Sequence, residues 1–206
     1  MPSLDHENQL RAAGHLRVCG IDEAGRGPLA GPVCVAGVIL PEGFAHPVLN
    51  DSKQLRENQR EQLHTELMAD ARLRWHCEIV SAAEIDEINI LQATYMAMRR
   101  AVAALGQAPA AALIDGNSAP PDLPCPVETI IDGDAYVASI SAASIIAKVE
   151  RDRMMAALCA QYPGYAFAKH KGYGTPEHQK ALAELGPCAI HRRSFKPVRL
   201  AAGLAA

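Results

Sequence analysis

The chain contains few aromatic residues: phenylalanine, tryptophan and tyrosine together make up 4% of its 206 residues. Its core must therefore be built mainly from alanine, leucine, isoleucine and valine. Hydrophobic residues reach 49% and charged residues 21%, which is ordinary for a globular protein. A chain of this length buries enough apolar surface to fold without disulfide or metal staples.

Long apolar runs are also missing. No stretch approaches the roughly 18 consecutive apolar residues that a membrane-spanning helix needs. The first residues, MPSLDHENQLR, lack the basic start and apolar stretch of a secretory signal. The six cysteines are scattered, with no CxxC pair. We therefore expect a cytoplasmic protein with reduced structural thiols and no zinc site.

The net charge of −3 excludes a uniformly basic nucleic-acid binder, but the charges are unevenly distributed. Residues 1–147 contain 10 Lys and Arg against 19 Asp and Glu, whereas residues 148–206 contain 10 against 4. The last third thus has a net charge of +6 and could attract a phosphate backbone. A surface with separated charges and no partner gives the same pattern, so charge alone leaves both interpretations open.

Apolar runs separated by turn residues predict an α/β fold with a sheet of mixed strand direction. Strands are predicted over 17–22, 33–40, 72–80, 111–117 and 127–132. Helices are predicted from Asp51 or Ser52, over 81–105 as a short helix followed by a longer one, over 139–162, and from Thr175 or Pro176 to Leu185. We expect a single domain over 1–206, with its core over 17–160 and a C-terminal helical extension over 161–200.

Four carboxylates share one sequence context. Each lies at or just beyond the end of an apolar run and close to glycine: Asp22, Glu23, Asp115 and Asp134. Functional sites of open α/β sheets gather at strand ends, so we expect these side chains to converge. Together they would repel one another unless a cation compensated them, and all-oxygen ligands suit Mg²⁺ or Mn²⁺. Taken singly, an aspartate beside glycine is also an ordinary turn residue.

Asp22 and Glu23 pose a geometric problem, because successive strand residues point to opposite faces. Both can reach one site only if the strand breaks between them or just after them. The following Ala24–Pro28 segment supplies such a break. Its Gly25-Arg26-Gly27 turn does not match the spaced glycines of dinucleotide or P-loop motifs, but it lets backbone amides approach a ligand closely.

Six segments in this order carry a resemblance to a known family: GIDEAGRGPLAGPV, NDSKQL, EIDEINILQAT, LIDGN, SAASIIAKVERDRM and HKGYGT. The chain resembles the type 2 ribonucleases H (ribonuclease HII) of bacteria from about residue 17 to about residue 200. The resemblance implies a ribonuclease H-like mixed β-sheet flanked by helices. It also implies an endonuclease that hydrolyses the RNA strand of RNA–DNA hybrids and incises 5′ of single ribonucleotides embedded in duplex DNA.

The resemblance assigns roles to individual residues. Metal binding and catalysis fall on Asp22, Glu23, Asp115 and Asp134. The stretch IDGDA departs from the family, because Asp132 stands where lysine is frequent; we prefer Asp134 as the ligand, since it keeps the family's spacing to SAAS. The Gly25, Arg26 and Gly27 turn is expected to grip the ribose 2′-OH and adjacent phosphate, and Tyr173 to pack on the sugar of the following deoxynucleotide.

Phosphate contacts are expected from lysines and hydroxyls. A 3, 4, 3 spacing places four side chains along one helix face: Ser141, Ser144, Lys148 and Arg151. For Arg151 a solvated stripe is the competing interpretation. Further phosphate candidates are Lys53, Lys169 and Lys171. His170 and His191 could support the site, but a lone histidine in a basic loop is more often a surface residue, and that is the interpretation preferred here. The HRRSFKPVR tail is interpreted as a source of non-specific attraction to the nucleic-acid backbone.

By this interpretation two divalent ions activate a water and stabilise the leaving 3′-oxygen, which gives 5′-phosphate and 3′-hydroxyl ends. The expected partners are RNA–DNA hybrids and DNA duplexes containing ribonucleotides, and the expected state is a monomer. Three alternatives stay open at this point. They are a type 3 ribonuclease H, a non-catalytic RNA–DNA hybrid-binding module and a metal-dependent phosphatase of small molecules.

Overall fold

A computed structural model of the chain describes residues 1–50, 52 and 54–204, and a five-stranded mixed sheet lies at its centre. In chain order the strands are β1 (Val18–Ala24), β2 (Val33–Ile39), β3 (Arg74–Val80), β4 (Ala111–Asp115) and β5 (Val127–Ile130). Their order in the sheet is β3-β2-β1-β4-β5. The first three strands pair antiparallel, and β1, β4 and β5 pair parallel, which confirms the predicted mixed sheet.

Helices cover both faces of this sheet. In chain order the described helices are α1 (Asp5–Ala12), α2 (Glu57–Ala69), α3 (Ala82–Ala103), α4 (Gly133–Tyr136), α5 (Ala138–Gln161), α6 (Phe167–His170), α7 (Pro176–Leu185) and α8 (Lys196–Ala201). One core lies between the sheet and α3, and a second lies between the sheet, α5 and α2. None of the described helices is long and apolar enough to cross a membrane.

The alternation of β1 decides which residues meet which helix. Cys19 and Ile21 point into the core beneath α3. The intervening Gly20 faces α5, and a Cβ added to it would lie 2.2 Å from the carbonyl carbon of Ser139. The lack of a side chain at Gly20 therefore lets α5 pack directly on the sheet backbone. Glu7 of α1 secures the start of this helix, because its Oε1 accepts a hydrogen bond from the Ser139 N–H at 2.8 Å.

The predicted strands are all present within a few residues of their predicted bounds. The expected short-then-long helix is also confirmed, because Asn89 breaks α3 with φ of 66°. The predicted start of α2, the helix before α3, is wrong. This helix begins at Glu57, and Ser52 lies in a turn before it; Asp51 is outside the described residues. Four short helices were not predicted: α1, α4, α6 and α8.

Candidate active site

The candidate site lies at the carboxyl ends of β1 and β4, where these two strands stop pairing with each other. The parallel ladder between β1 and β4 ends at Ile21 and Ile114, whereas β1 continues to pair with β2 as far as Ala24. The carboxyl ends of β1 and β4 are therefore open to one another beyond this point. This is the position at which open α/β sheets form ligand crevices.

A cavity of about 260 Å³ opens at this position. Nine of the residues proposed from the sequence line it together: Asp22, Glu23, Gly25, Arg26, Gly27, Asp115, Ser144, Lys148 and Tyr173. Ala24 and Ser52 line it as well. The fold thus brings three carboxylates, the glycine turn, two hydroxyls and one aromatic ring to a single place.

Asp22 and Glu23 reach this cavity although they are consecutive strand residues. Strand β1 runs through both and ends only at Ala24, so the break follows the pair and does not divide it. Asp22 shares the α5 face with Gly20, and Glu23 lies on the α3 face. Glu23 also lines a second cavity of about 120 Å³ on that face, together with Asp115 and Arg26. The strand end is therefore accessible from both sides of the sheet.

The carboxylates create a strongly anionic environment. Asp22 is only 5% exposed, and burial raises its pKa well above the usual value, with further contributions from Glu23 and Asp115. Hydrogen bonds from Ser144 and from the Glu23 N–H, at 2.7 Å, act in the opposite direction. The ionised form of Asp22 is therefore costly unless positive charge enters the cavity.

The donor set suits a hard divalent cation. Oδ1 of Asp115 is buried and has no hydrogen-bond partner among the residues that the structure describes, so one carboxylate oxygen is left for another ligand. Within the same residues, no group of three acidic, histidine or cysteine side chains forms a ready-made metal site. The chemistry of the donors fits Mg²⁺ or Mn²⁺, and the carboxylates would have to converge as the cation binds.

The cationic side chains at the cavity pair with neighbouring acids. The Arg26 guanidinium contacts Glu23 at 3.1 Å, and Lys148 contacts Asp152 at 2.8 Å. Ser144 shares a hydrogen bond of 2.8 Å with Ser52. Sequence reasoning missed Ser52 as a lining residue, although its position inside the NDSK motif was the available signal.

Asp134 does not line the cavity. It is 2% exposed on α4, beside Gly133, where a Cβ would lie 3.4 Å from Oδ1 of Asp115. The short helix α4 therefore packs directly behind Asp115. Asp132 is exposed at the start of the same helix, with φ of 55°, and it does not line the cavity either.

Two further lysines proposed as phosphate ligands, Lys169 and Lys171, do not line the cavity. Lys169 is largely exposed and pairs with Glu177 at 2.6 Å. Lys171 pairs with Glu57 at 3.6 Å. Lys53 is outside the described residues.

Arg151 corrects both interpretations of its position, because it lies neither in a solvated stripe nor at a phosphate site. Its side chain is 1% exposed, beneath the glycine turn. The guanidinium donates hydrogen bonds to three backbone carbonyls, those of Pro32, Lys171 and Ala30, at 2.9, 3.0 and 3.2 Å. Ser141 of the same predicted face is fully buried as well. Only the middle of that face, Ser144 and Lys148, reaches the cavity.

Arg192 has the same role from the C-terminal segment. It is fully buried, so this part of the tail is not a surface for phosphate attraction. Its guanidinium donates to the carbonyls of Gly25, Arg26, Gly31 and Pro32, at 2.6 to 3.0 Å. Arg192 thus holds two carbonyls of the glycine turn itself, whereas Arg151 holds carbonyls of the neighbouring loops, those of Ala30, Pro32 and Lys171. The planar guanidinium group has five N–H donors, so one arginine can donate to several carbonyls at once.

His170 and His191 are not surface residues, contrary to the sequence interpretation. They are 8% and 1% exposed, and they form a buried group with His178. Each ring finds hydrogen-bond partners in the backbone or in another ring, which allows a neutral histidine to be buried.

Comparison with known proteins decides the family. The family model described as Ribonuclease HII matches residues 19–198. The chain belongs to the ribonuclease HII family. The ribonuclease HII of Parvibaculum lavamentivorans is 59% identical over 97% of this chain and 73% of its own length. That of Xanthomonas oryzae pv. oryzae is 53% identical over 92% of this chain and 75% of its own length.

The fold agrees with this assignment. The crystal structure of ribonuclease H2 from Pyrococcus horikoshii OT3 is similar, with a TM-score of 0.76 and 28% identity over 91% of this chain and 98% of that one. The ribonuclease H-like fold predicted from the six motifs is therefore confirmed. As a ribonuclease HII, the chain is an endonuclease of the ribonuclease H class, which acts on RNA–DNA hybrids and depends on divalent metal ions.

Proposed function

We propose that this enzyme incises DNA duplexes on the 5′ side of a single embedded ribonucleotide, in addition to hydrolysing the RNA strand of hybrids. The products are a 5′-phosphate on the ribonucleotide and a 3′-hydroxyl on the other side. The observation that carries the proposal is the convergence in one cavity of three carboxylates, Gly27 and Tyr173. Acidic side chains facing a polyanion have a use in a nuclease and none in a passive binder.

Asp22, Glu23 and Asp115 are the proposed ligands of two Mg²⁺ or Mn²⁺ ions, with Asp134 as the fourth. The orphaned Oδ1 of Asp115 and the raised pKa of Asp22 support this role. Asp134 is preferred over Asp132 because it is buried beside Gly133, which packs on Asp115, whereas Asp132 faces solvent. When bound, the divalent ions supply the activated water and stabilise the leaving oxygen, so no side-chain general base is required.

The glycine turn and Tyr173 would recognise the junction. Arg192 holds the Gly25 and Arg26 carbonyls, and the amide groups of the turn are the proposed contacts to the ligand. The 2′-OH is the feature that distinguishes RNA from DNA at one nucleotide. A Cβ on Gly27 would lie 3.9 Å from the Tyr173 ring, so the turn and the ring form neighbouring walls.

Phosphate positioning would use side chains around this wall. Ser144, Lys148 and Arg26 line the cavity and are the nearest candidates. Lys53, Lys169 and Lys171 are proposed to contact phosphates farther along the strand. Arg26 and Lys148 are paired with Glu23 and Asp152, respectively. When the substrate binds, these ion pairs would break and the two cations would contact phosphate groups instead.

We further propose that the chain is a cytoplasmic monomer forming a single domain. Its C-terminal helical extension, from about residue 161 to about residue 200, would support the turn through Arg192. By this proposal the enzyme cuts beside ribonucleotides left in DNA by replication, and this incision is the first step of their excision repair.

The test is an incision assay with three duplexes in Mg²⁺ or Mn²⁺: DNA with one ribonucleotide, all-DNA, and an RNA–DNA hybrid. We expect a cut 5′ of the single ribonucleotide, none in all-DNA, and loss of cutting in Asp22→Asn. Comparing Asp134→Asn with Asp132→Asn assigns the fourth ligand, because only the first should abolish cutting. Tight binding of the hybrid without any cut would instead show a non-catalytic binding module.

A further inference from the structure

A buried group of three histidines lies behind Tyr173, outside the cavity. His170 and His178 stack with their ring centroids 4.5 Å apart, and His191 follows 5.2 Å from His178. The aromatic rings of Tyr165 and Phe167 pack against the group. Nothing in the proposed chemistry of the site uses these rings, and yet His170 and His178 lie within five residues of Tyr173 in the cavity wall.

The direction of every hydrogen bond in this group is fixed by backbone donors. The Cys188 N–H donates to Nδ1 of His191 at 3.0 Å, so His191 carries its own hydrogen on Nε2. That Nε2–H donates to Nε2 of His178 at 3.0 Å. His178 must therefore carry its hydrogen on Nδ1, which donates to the carbonyl oxygen of Tyr173 at 2.9 Å.

His170 completes the support of the same loop. The Gly172 N–H donates to its Nδ1 at 3.2 Å, and its Nε2–H donates to the Tyr165 carbonyl at 2.7 Å. The Gly172 carbonyl in turn accepts from the Leu29 N–H at 2.8 Å. Hydrogen bonds thus hold the backbone on both sides of the Tyr173 α-carbon, while the residue stays 44% exposed and lines the cavity.

We propose that His178 and His191 are positioning residues for junction recognition. The hydrogen-bond chain from Cys188 through His191 and His178 to the Tyr173 carbonyl holds this loop in one orientation, so that the ring meets the sugar of the deoxynucleotide beside the ribonucleotide. The inference rests on the proposed function of Tyr173. It predicts that damage to the chain lowers the selection of the junction more than it lowers hydrolysis itself.

Two variants of His178 separate this role from ordinary packing. In His178→Asn the amide nitrogen replaces Nδ1 and can still donate to the Tyr173 carbonyl. In His178→Gln the polar end occupies the place of Nε2, and that donor is lost. Both variants remove the ring, so they share the packing defect and differ in the hydrogen bond to Tyr173.

The readout is the ratio of two kcat/KM values in Mg²⁺, for DNA with one ribonucleotide and for an RNA–DNA hybrid. We expect His178→Gln to lower this ratio about tenfold, the value of one net hydrogen bond, and His178→Asn to keep it within about threefold. Equal falls on both substrates in His178→Gln, or the same ratio in the two variants, would overturn the inference. A wild-type enzyme that does not cut at single ribonucleotides would instead overturn the proposed function.

A second measurement does not depend on any variant. The ring nitrogens of ¹⁵N-labelled wild-type protein at neutral pH report which nitrogen carries hydrogen. We expect His178 to be protonated at Nδ1 and His191 at Nε2. A His178 ring protonated at Nε2 could not accept from His191, and that result would refute the chain directly.

Discussion

Gly25 lies directly against the side chain of Arg151: a Cβ on this glycine would stand 2.0 Å from the Arg151 Nε. Gly25 also has φ of 95°, which side chains rarely tolerate. Gly27, two residues later, has open space, and its Cβ would meet nothing closer than the Tyr173 ring at 3.9 Å. The fold thus requires glycine at position 25 but leaves room for a side chain at position 27, where the proposed contact with the substrate is the remaining reason for glycine.

Gly25→Ala and Gly27→Ala should therefore fail in different assays. We expect Gly25→Ala to lose about 2 to 4 kcal/mol of unfolding free energy, from overpacking and the left-handed backbone. Gly27→Ala should stay within about 0.5 kcal/mol of wild type. It should nevertheless lose at least about tenfold in incision, because the new methyl group stands where the substrate approaches. Urea unfolding measures the stability of both variants, and incision assays measure their activity. A stable and active Gly25→Ala would contradict the steric argument.

Arg192→Lys should be strongly destabilising although it keeps the charge. Four backbone carbonyls accept from this guanidinium, and a lysine ammonium cannot reach them all in the same plane. We expect a loss of about 2 to 4 kcal/mol in urea unfolding, since buried carbonyls are left unsatisfied. Arg193→Lys is the matched control, because this neighbour is exposed. Equal stability of the two variants would show that the buried contacts contribute little.

Asp22→Asn should remove the response of stability to metal. Burial, Glu23 and Asp115 all raise the pKa of Asp22, so without a cation the amide should be at least as stable as the acid. Saturating Mg²⁺ at 100 times its Kd should add about 2.7 kcal/mol to wild type and much less to the variant. Thermal unfolding with Mg²⁺ and with EDTA measures both quantities. Asp132→Asn, which changes an exposed carboxylate outside the cavity, should keep the wild-type response.

Acid should destabilise the enzyme through His191. Burial, with a smaller effect of His178, lowers the pKa of this imidazole from 6.5 to about 4. Above pH 6.5 the ring is neutral in both states and pH has no effect through it. Between pH 6.5 and 4 the unfolded chain binds a proton that the folded chain excludes, so stability falls as the pH falls.

The variant His191→Asn isolates this effect, because it has no imidazole to protonate. Between pH 6.5 and pH 5 the wild type should lose about 2 kcal/mol more than the variant. Urea unfolding at the two pH values measures the difference. Parallel losses in both proteins would mean that His191 titrates normally in the folded state.

Local patterns predicted the elements of this fold well. The strands are apolar runs bounded by turn residues, and the break in α3 falls at Asn89, within a motif whose apolar spacing changes. Helix α1 was missed because its sequence, DHENQLRA, presents hardly any apolar face. The start of α2 was placed too early because Ser52 has the composition of a helix cap, but its hydroxyl instead bonds Ser144.

Composition could not predict the buried charges. Arg151 and Arg192 belong to a residue type that is almost never fully buried without a partner, and here the partners are backbone carbonyls. Carbonyls carry no signal in a sequence, and those of Gly25 and Pro32 lie far from Arg192 along the chain. The burial of His170 and His191 was equally hidden, because it depends on their packing against the rings of His178 and Phe167. The cavity-lining residues could be predicted from the sequence because the motifs that contain them together resemble one family.

The lack of a side chain at Gly20 affects the position of residues that line the cavity. It lets α5 lie flush against β1, and Ser144 and Lys148 sit farther along that helix, opposite Asp22. Any larger group at residue 20 would push α5 away from the sheet. The width of the candidate cavity thus depends on a residue in the middle of the sheet that does not line it.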